Sequence, residues 1–296
     1  MNLQLLLWQT LTYPSIDPKD FYIRKHPPFL LMVAVLTKEA PNHIYEVEFD
    51  MVRTCNLHCK MCNFWTNKPN PKRLTTKEVK DTIKNLHDWF QREFKIAFAG
   101  GEPFMRPDMI EIIKYASGLG IITSVATNGT LLTEDMVGKL VESGLNGIVI
   151  SIDSLNPEVH DYMRGTSGAF KRAFRAFNMI VDKRKDEFAN PFPNLASIIS
   201  KLNHQDVPEL LGWLKKTGKG NLIVQSISAN FFTNTKDWFD EKLWPEFNED
   251  KQAINASIDK LIEMKRTGYP LLNEVGQLEK MKTYFKNLNW RALVHD

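Results

Sequence analysis

The chain has 296 residues, an ordinary apolar content and a formal charge of only +3. That length suits one large α/β domain, and so small a net charge gives no basis for a nucleic-acid-binding face. The longest apolar run, residues 29–36, is far short of the about 20 residues that span a bilayer, and residues 3–7 lack the basic flank of a signal peptide, so a cytoplasmic protein is expected.

Residues 1–43 read as an N-terminal extension, cut into short pieces by Pro14, Pro18, Pro27, Pro28 and Pro41, with a short helix at 3–11. The pattern then changes to alternating strands and helices. Residues 44–52 alternate, with Val47, Phe49 and Met51 on one side, and form the first predicted strand. Thr75-Thr76-Lys77-Glu78 is a capping box, and Val79, Ile83, Leu86 and Phe90 follow at helical spacing. Further strands are predicted at 96–99, 121–126, 147–152, 195–202 and 222–227. Helices between them carry Met109, Ile112, Ile113 and Ala116, then a helix capped by Thr133, then Phe170, Ala173, Phe174, Phe177 and Val181, then a helix capped by Asp206. The alternation predicts a parallel sheet with right-handed crossovers over a core at 44–230. Residues 231–296 form a C-terminal segment. It holds Phe231, Phe232, Trp238, Phe239, Trp244 and Phe247, aromatic residues suited to packing or to covering a barrel mouth, and then helices around 254–262 and 278–285.

All three cysteines, Cys55, Cys59 and Cys62, fall within eight positions directly after the first strand. Three thiolates leave one iron of a four-iron cubane without a protein ligand, whereas a purely electron-carrying cluster normally has four cysteines. A disulfide would need an even count and an oxidising compartment. Zinc is the other alternative on spacing, with His58 as fourth ligand, although every ligand would then sit on one loop. Otherwise His58 is a solvent-facing loop residue, with Phe64 and Trp65 shielding the thiolates. The remaining candidate residues also follow strands, where (β/α) folds place chemistry. They are Gly100-Gly101-Glu102-Pro103, Thr127-Asn128-Gly129, Ser151-Ile152-Asp153-Ser154, and Arg164-Gly165 ahead of Gly168-Ala169-Phe170. Taken singly, each has an ordinary reading as a turn, a cap or a surface arginine.

In this order, the cysteine spacing and the four later motifs resemble the radical SAM superfamily, over roughly residues 44–230. The resemblance is strongest to the branch of SPASM-type peptide and protein maturases and the molybdopterin-precursor cyclase. It implies an α/β partial (βα)6 barrel, open along one side. It implies a [4Fe–4S] cluster on Cys55, Cys59 and Cys62, with S-adenosylmethionine (SAM) chelating the fourth iron. An electron from the cluster would cleave a carbon–sulfur bond of SAM, and a 5′-deoxyadenosyl radical would abstract hydrogen from the substrate. Glu102, in the turn made by Gly100, Gly101 and Pro103, is then the ligand of the SAM amino group. Met61 lies near the adenine, Thr127 and Asn128 border SAM, Ser151 and Asp153 hold the ribose, and Arg164 pairs with the SAM carboxylate. Ser197 and the backbone of 222–225 border the adenosine. The expected substrate is a peptide or protein side chain, with a lipid or small metabolite as alternative, and the expected reductant is a flavodoxin or ferredoxin. A non-catalytic iron–sulfur or zinc module is the alternative outside enzymes. No cysteine follows Cys62, so the resemblance does not extend to an auxiliary-cluster domain or to the cyclase activity. Residues 271–290 look like the lead-in to such a domain. This suggests a shortened chain or a natural loss, with the open side of the barrel uncovered.

Overall fold

Period-two burial makes the strands. The computed structural model describes residues 45–68, 73–90, 92–184, 186, 189–228 and 240–288. In β1 (Tyr45–Val52), Val47, Phe49 and Met51 are buried, while Glu46, Glu48 and Asp50 between them are only partly covered. The same alternation runs through β2 (Phe94–Gly100), β3 (Ile122–Thr127), β4 (Gly147–Ser151), β5 (Phe192–Ile199) and β6 (Asn221–Ser226). The strands pair in sequence order, and every pair is parallel. Each parallel step needs a crossover. These are α1 (Thr76–Phe90), α2 (Met109–Gly118), α3 (Glu134–Glu142), α4 (Pro157–Arg164) with α5 (Ala169–Lys183), and α6 (Asp206–Thr217). β1 and β6 do not pair, so the sheet is the expected partial barrel of six βα units.

The buried row of each strand faces the helices. Gly129, just past β3, sits against Ile150 of β4 and Ala173 and Ala176 of α5, and an added Cβ would lie 3.1 Å from the Ile150 side chain. Phe94, Phe98 and Phe177 are fully enclosed in this layer, each contributing about 1.5–3 kcal/mol by burial. The opposite, concave row is only half-covered and mixes Ile122, Val149, Ile198 and Ile223 with smaller and polar residues. It carries Glu48 and Asp50 on β1, Ala97 and Ala99 on β2, Ser124 and Ala126 on β3, and Asn194 and Gln225 on β5 and β6.

The capping predictions hold in part. Thr75 and Glu78 make the reciprocal bonds of a capping box, and the Thr133 hydroxyl accepts from the Met136 N–H. Asp206 does not cap. It is the first residue of α6, and its carboxylate accepts the Ser154 hydroxyl. β5 ends three residues before the predicted limit, because Ser200 turns the chain by donating its N–H and its hydroxyl to the Asn203 side chain. Helix α4 was not anticipated. It is started by Asn156, which caps the Glu158 N–H, with Pro157 in the first turn.

Beyond β6 come α7 (Asn248–Arg266) and α8 (Val275–Asn287). They correct the expectation of an uncovered side at β6. The Leu222 N–H donates to the Pro270 carbonyl at 2.8 Å, and the Leu272 N–H donates to the Leu222 carbonyl at 2.7 Å. The Asn273 amide then pairs with both backbone groups of Val224, at 2.7 and 3.0 Å. Tyr284 of α8 is buried, and its hydroxyl donates to the Ile227 carbonyl. Of the predicted aromatic stretch, Trp244 is half-buried and Phe247 is 59% exposed. Phe231, Phe232, Trp238, Phe239 and the whole 1–43 extension lie outside the described residues. Among the described residues no helix is long and apolar enough to cross a membrane.

Burial, reinforced by the neighbouring Asp50 and Glu46, pushes the Glu48 carboxyl up to about 8. A carboxyl raised above its unfolded value favours folding in its neutral form. That stability is present below the usual carboxylate range and is lost as pH rises toward 8. Thermal melts of E48Q should therefore gain about 2–4 °C over the parent at pH 8.5 and almost nothing at pH 5. An equal gain at both pH values would refute the assignment.

Candidate functional site

The site is built where β2 ends against the chain leaving β1. The Gly101 N–H donates to the Val52 carbonyl at 2.7 Å, and the Glu102 N–H donates to the Thr54 carbonyl at 3.0 Å. A Cβ on Gly101 would come within 1.9 Å of the Thr54 carbonyl oxygen, and one on Gly100, where φ is +109°, within 2.5 Å of the Val52 oxygen. Only glycine tolerates that approach. It clamps the first residues of the cysteine loop to the barrel mouth. Pro103 then opens a single turn, Pro103–Met105, in which Pro103 and Phe104 are buried and Met105 is exposed.

The three thiols are free, Cys59 fully buried and Cys55 and Cys62 partly so. Burial pushes each of them up to about 11, against which N–H groups aimed at the sulfurs favour the thiolate. Cys55 faces the Leu57 N–H and the Asn128 side-chain amide, whose nitrogen lies 3.7 Å from the sulfur. Cys59 faces the Arg164 guanidinium, and Cys62 the N–H groups of Phe64 and Asn63. Sulfurs dressed in N–H donors suit a thiolate-bound iron–sulfur cluster. Among the described residues no three His, Cys, Asp or Glu side chains converge closely enough for a single metal ion. His58 is exposed, its ring 5.0 Å from that of Trp65. His58 therefore stands apart, and the three thiols of one loop are the candidate ligands. Phe64 is buried beside the loop, and Trp65 donates to the Cys62 carbonyl at 2.9 Å.

Glu102 has no solvent exposure. One carboxylate oxygen accepts from the Phe104 N–H at 3.1 Å and the Thr127 hydroxyl at 2.7 Å, and the other from the Asn128 N–H at 2.8 Å. Burial outweighs these bonds and pushes the carboxyl up to about 7. Asn128 also donates to Asn56 at 2.9 Å, and Asn56 donates to Thr130 at the same distance. The structure thus brings Glu102, Thr127 and Asn128 together and joins them to the cysteine loop. Asn56 had no separate signal beyond its place after Cys55. Met61 is buried in the apolar core beside the loop, and Ser151 ends β4 on the half-covered concave row.

Asp153 and Arg164 are brought together in a way the ligand assignments did not foresee. The Arg164 Nε and Nη2 donate to the two Asp153 oxygens at 2.6 and 2.9 Å. The Ile198 N–H also donates to Asp153, at 3.1 Å. Asp153 is wholly buried, and its own N–H donates to the His160 ring at 3.2 Å. Burial pushes His160 down to about 4, so the ring is neutral. Asp153 is therefore held by protein partners that the ribose expectation did not include. The physical reason is the turn of α4 that sets His160 and Arg164 on one face, four residues apart. Ser197 is corrected. It lies on the helix-facing row, fully buried, with its hydroxyl on the Asp153 carbonyl. Asn203 was missed. Its amide donates to the Asp153 and Ile198 carbonyls and ties the ends of β4 and β5 together.

A family model described as the Radical SAM superfamily matches residues 50–214, more than half of the chain. An AdoMet-dependent heme synthase of Methanosarcina barkeri is 34% identical over 173 residues, covering 58% of this chain and 47% of that protein. The mycofactocin maturase MftC of Mycolicibacterium smegmatis is 34% identical over 128 residues, covering 43% of this chain and 32% of that protein. The chain thus spans about half, or less, of the length of these relatives. The fold is that of Streptococcus suis SuiB, solved with S-adenosylmethionine, at a TM-score of 0.61 and 15% identity over 76% of this chain and 49% of SuiB. With the family model over the cysteine loop and the whole of β2 to β5, the chain belongs to the radical SAM superfamily, whose members are enzymes that use a [4Fe–4S] cluster and S-adenosylmethionine.

Proposed function

We propose that Cys55, Cys59 and Cys62 of this chain hold the [4Fe–4S] cluster, and that SAM binds beside it at the mouth of the barrel. The observation that carries this reading is the convergence of Asn128 on Cys55 and Arg164 on Cys59, with Glu102 one bond behind Asn128. When bound, the cofactor pair supplies reductive cleavage of SAM and a 5′-deoxyadenosyl radical that takes a hydrogen atom from the substrate, with a flavodoxin or ferredoxin as electron source. The chain supplies orientation and exclusion of water. Glu102, with a carboxyl near neutrality, gives up its proton to bind an ammonium group. Thr127 and the Asn128 N–H fix its orientation, and Gly100, Gly101 and Pro103 shape the turn around it. Ser151 offers a hydroxyl to the ribose from the concave row, and Met61 an apolar contact to the adenine.

The substrate class we favour is a peptide or protein side chain. SuiB has been solved with precursor peptide SuiA, and a maturase is among the relatives. The concave row supports the same choice. Ala97, Ala99, Ser124 and Ala126 leave space there, and Glu48 and Asp50 suit an amine or amide rather than a carboxylate-rich ring. A second reading, a tetrapyrrole, is favoured by the heme synthase relative.

Anaerobic reconstitution with iron and sulfide, followed by reduction with SAM present, should yield 5′-deoxyadenosine in the parent chain and only background in C59A. Stoichiometric zinc with no cluster would overturn the reading. Peptides should stimulate the yield; stimulation by an iron porphyrin alone would favour the second substrate class.

Glu102 gives a separate prediction. E102Q should keep the cluster absorbance and weaken SAM binding about tenfold, the scale of one charged hydrogen bond. Binding to the parent should weaken as pH falls below about 7, because protonation removes the counter-charge of the ammonium group. Equal affinity of E102Q and parent in equilibrium dialysis would remove Glu102 from the site.

A further inference from the structure

Three consecutive residues at the end of α4 grip three consecutive residues of the cysteine loop. The Lys60 N–H donates to the Met163 carbonyl at 2.9 Å. Gly165 lies so near His58 that an added Cβ would sit 2.0 Å from the His58 carbonyl oxygen. Gly165 is also left-handed, at φ +59°, so glycine is needed for both reasons. Between these two contacts lie Arg164 and Cys59, the guanidinium beside the sulfur. Arg164 is held from behind by Asp153, through Nε and Nη2. Asp153 in turn is held by the Ile198 N–H, and the whole ion pair is buried. Two of the three guanidinium nitrogens are thus committed to the fold, and the backbone contacts on either side set this buried cation next to Cys59.

We propose that Arg164 is a positioning residue that sets the reduction potential of the bound cluster through Cys59, in place of the SAM-carboxylate role expected from the family pattern. The inference rests on the cluster reading above. A buried cation beside a cluster thiolate stabilises the state with the added electron, so it raises the potential. Burial keeps the interaction from being screened by salt. Asp153 offsets part of the guanidinium charge and fixes its direction, which leaves the contact to sulfur as the distinctive contribution.

The test is a mediator-coupled electrode titration of the reconstituted chain, one electron per cluster, without SAM. The parent is compared with R164K and with D153N/R164M. The double variant removes both charges together and leaves no lone buried carboxylate. At equal iron and sulfide content, the midpoint potential should be more negative in the double variant and intermediate in R164K. The exchangeable-proton hyperfine coupling of the reduced cluster, compared in H2O and D2O, should weaken in the same order. Equal potentials in the loaded proteins would overturn the proposal, and so would an effect confined to SAM affinity. Should the double variant fail to load, R164K decides alone by the same measurement. A chain that forms 5′-deoxyadenosine while its potential stays unmoved fails this inference only. A shifted potential without 5′-deoxyadenosine fails the proposed function only.

Discussion

A carboxylate with no access to water organises the mouth of this barrel. Burying an ionisable acid is costly unless donors surround it, and Glu102 has three, from Phe104, Thr127 and Asn128. Those donors come from the turn after β2 and from the end of β3, so satisfying one carboxylate fixes two strand ends relative to each other. The same turn is tied to the exit of β1 through Gly101 and Thr54. Asn128, once fixed, has only one place to send its amide, toward Cys55 and Asn56. The cysteine loop thus inherits its position from a buried charge two contacts away.

A second buried carboxylate repeats the device on the other flank. Asp153 holds Arg164 as Glu102 holds Asn128, and the Lys60–Met163 and His58–Gly165 contacts set Arg164 beside Cys59. Each acid sits at the end of a strand, and each acts on a thiol through one intermediate side chain. Cys62 differs, since its donors are backbone N–H groups of its own loop. The loop is therefore held by two barrel-borne relays and closed by a local turn. Lys60 and Gly165 add backbone contacts at the second relay, which makes α4 part of the site although it carries no thiol.

What could be read in advance was whatever has a short period or a short spacing. The alternation of Val47, Phe49 and Met51, the capping box at Thr75 and the three clustered cysteines are local patterns, and each appears in the structure where it was expected. The meeting of Glu102 with Thr127 and Asn128 was legible too, because strand ends in a parallel barrel share one rim. The Asp153–Arg164 pair was not. An aspartate suits a ribose and an arginine suits a carboxylate, and nothing in their types says that they choose each other. The available signal was the spacing of His160 and Arg164, four residues apart after an Asn-Pro start, which puts both on one face of a short helix. Asn203 and Asn273 were missed for a related reason. A single amide that substitutes for backbone pairing leaves no periodic trace.

Asn273 also bears on how the concave row is reached. An unpaired edge strand invites another strand to add to it. Here the base of β6 is occupied by residues 270–273 of the same chain, with an amide side chain standing in where the backbone no longer runs alongside. The pairing reaches Val224 and involves no bond from Gln225, the next residue on the concave row. Residues 270–273 close β6 at its amino-terminal end, and just past its carboxyl-terminal end Tyr284 of α8 bonds the Ile227 carbonyl. The small residues of β2 and β3 and the carboxyls of β1 thus line the concave row, while residues 270–273 occupy the backbone edge at the base of β6.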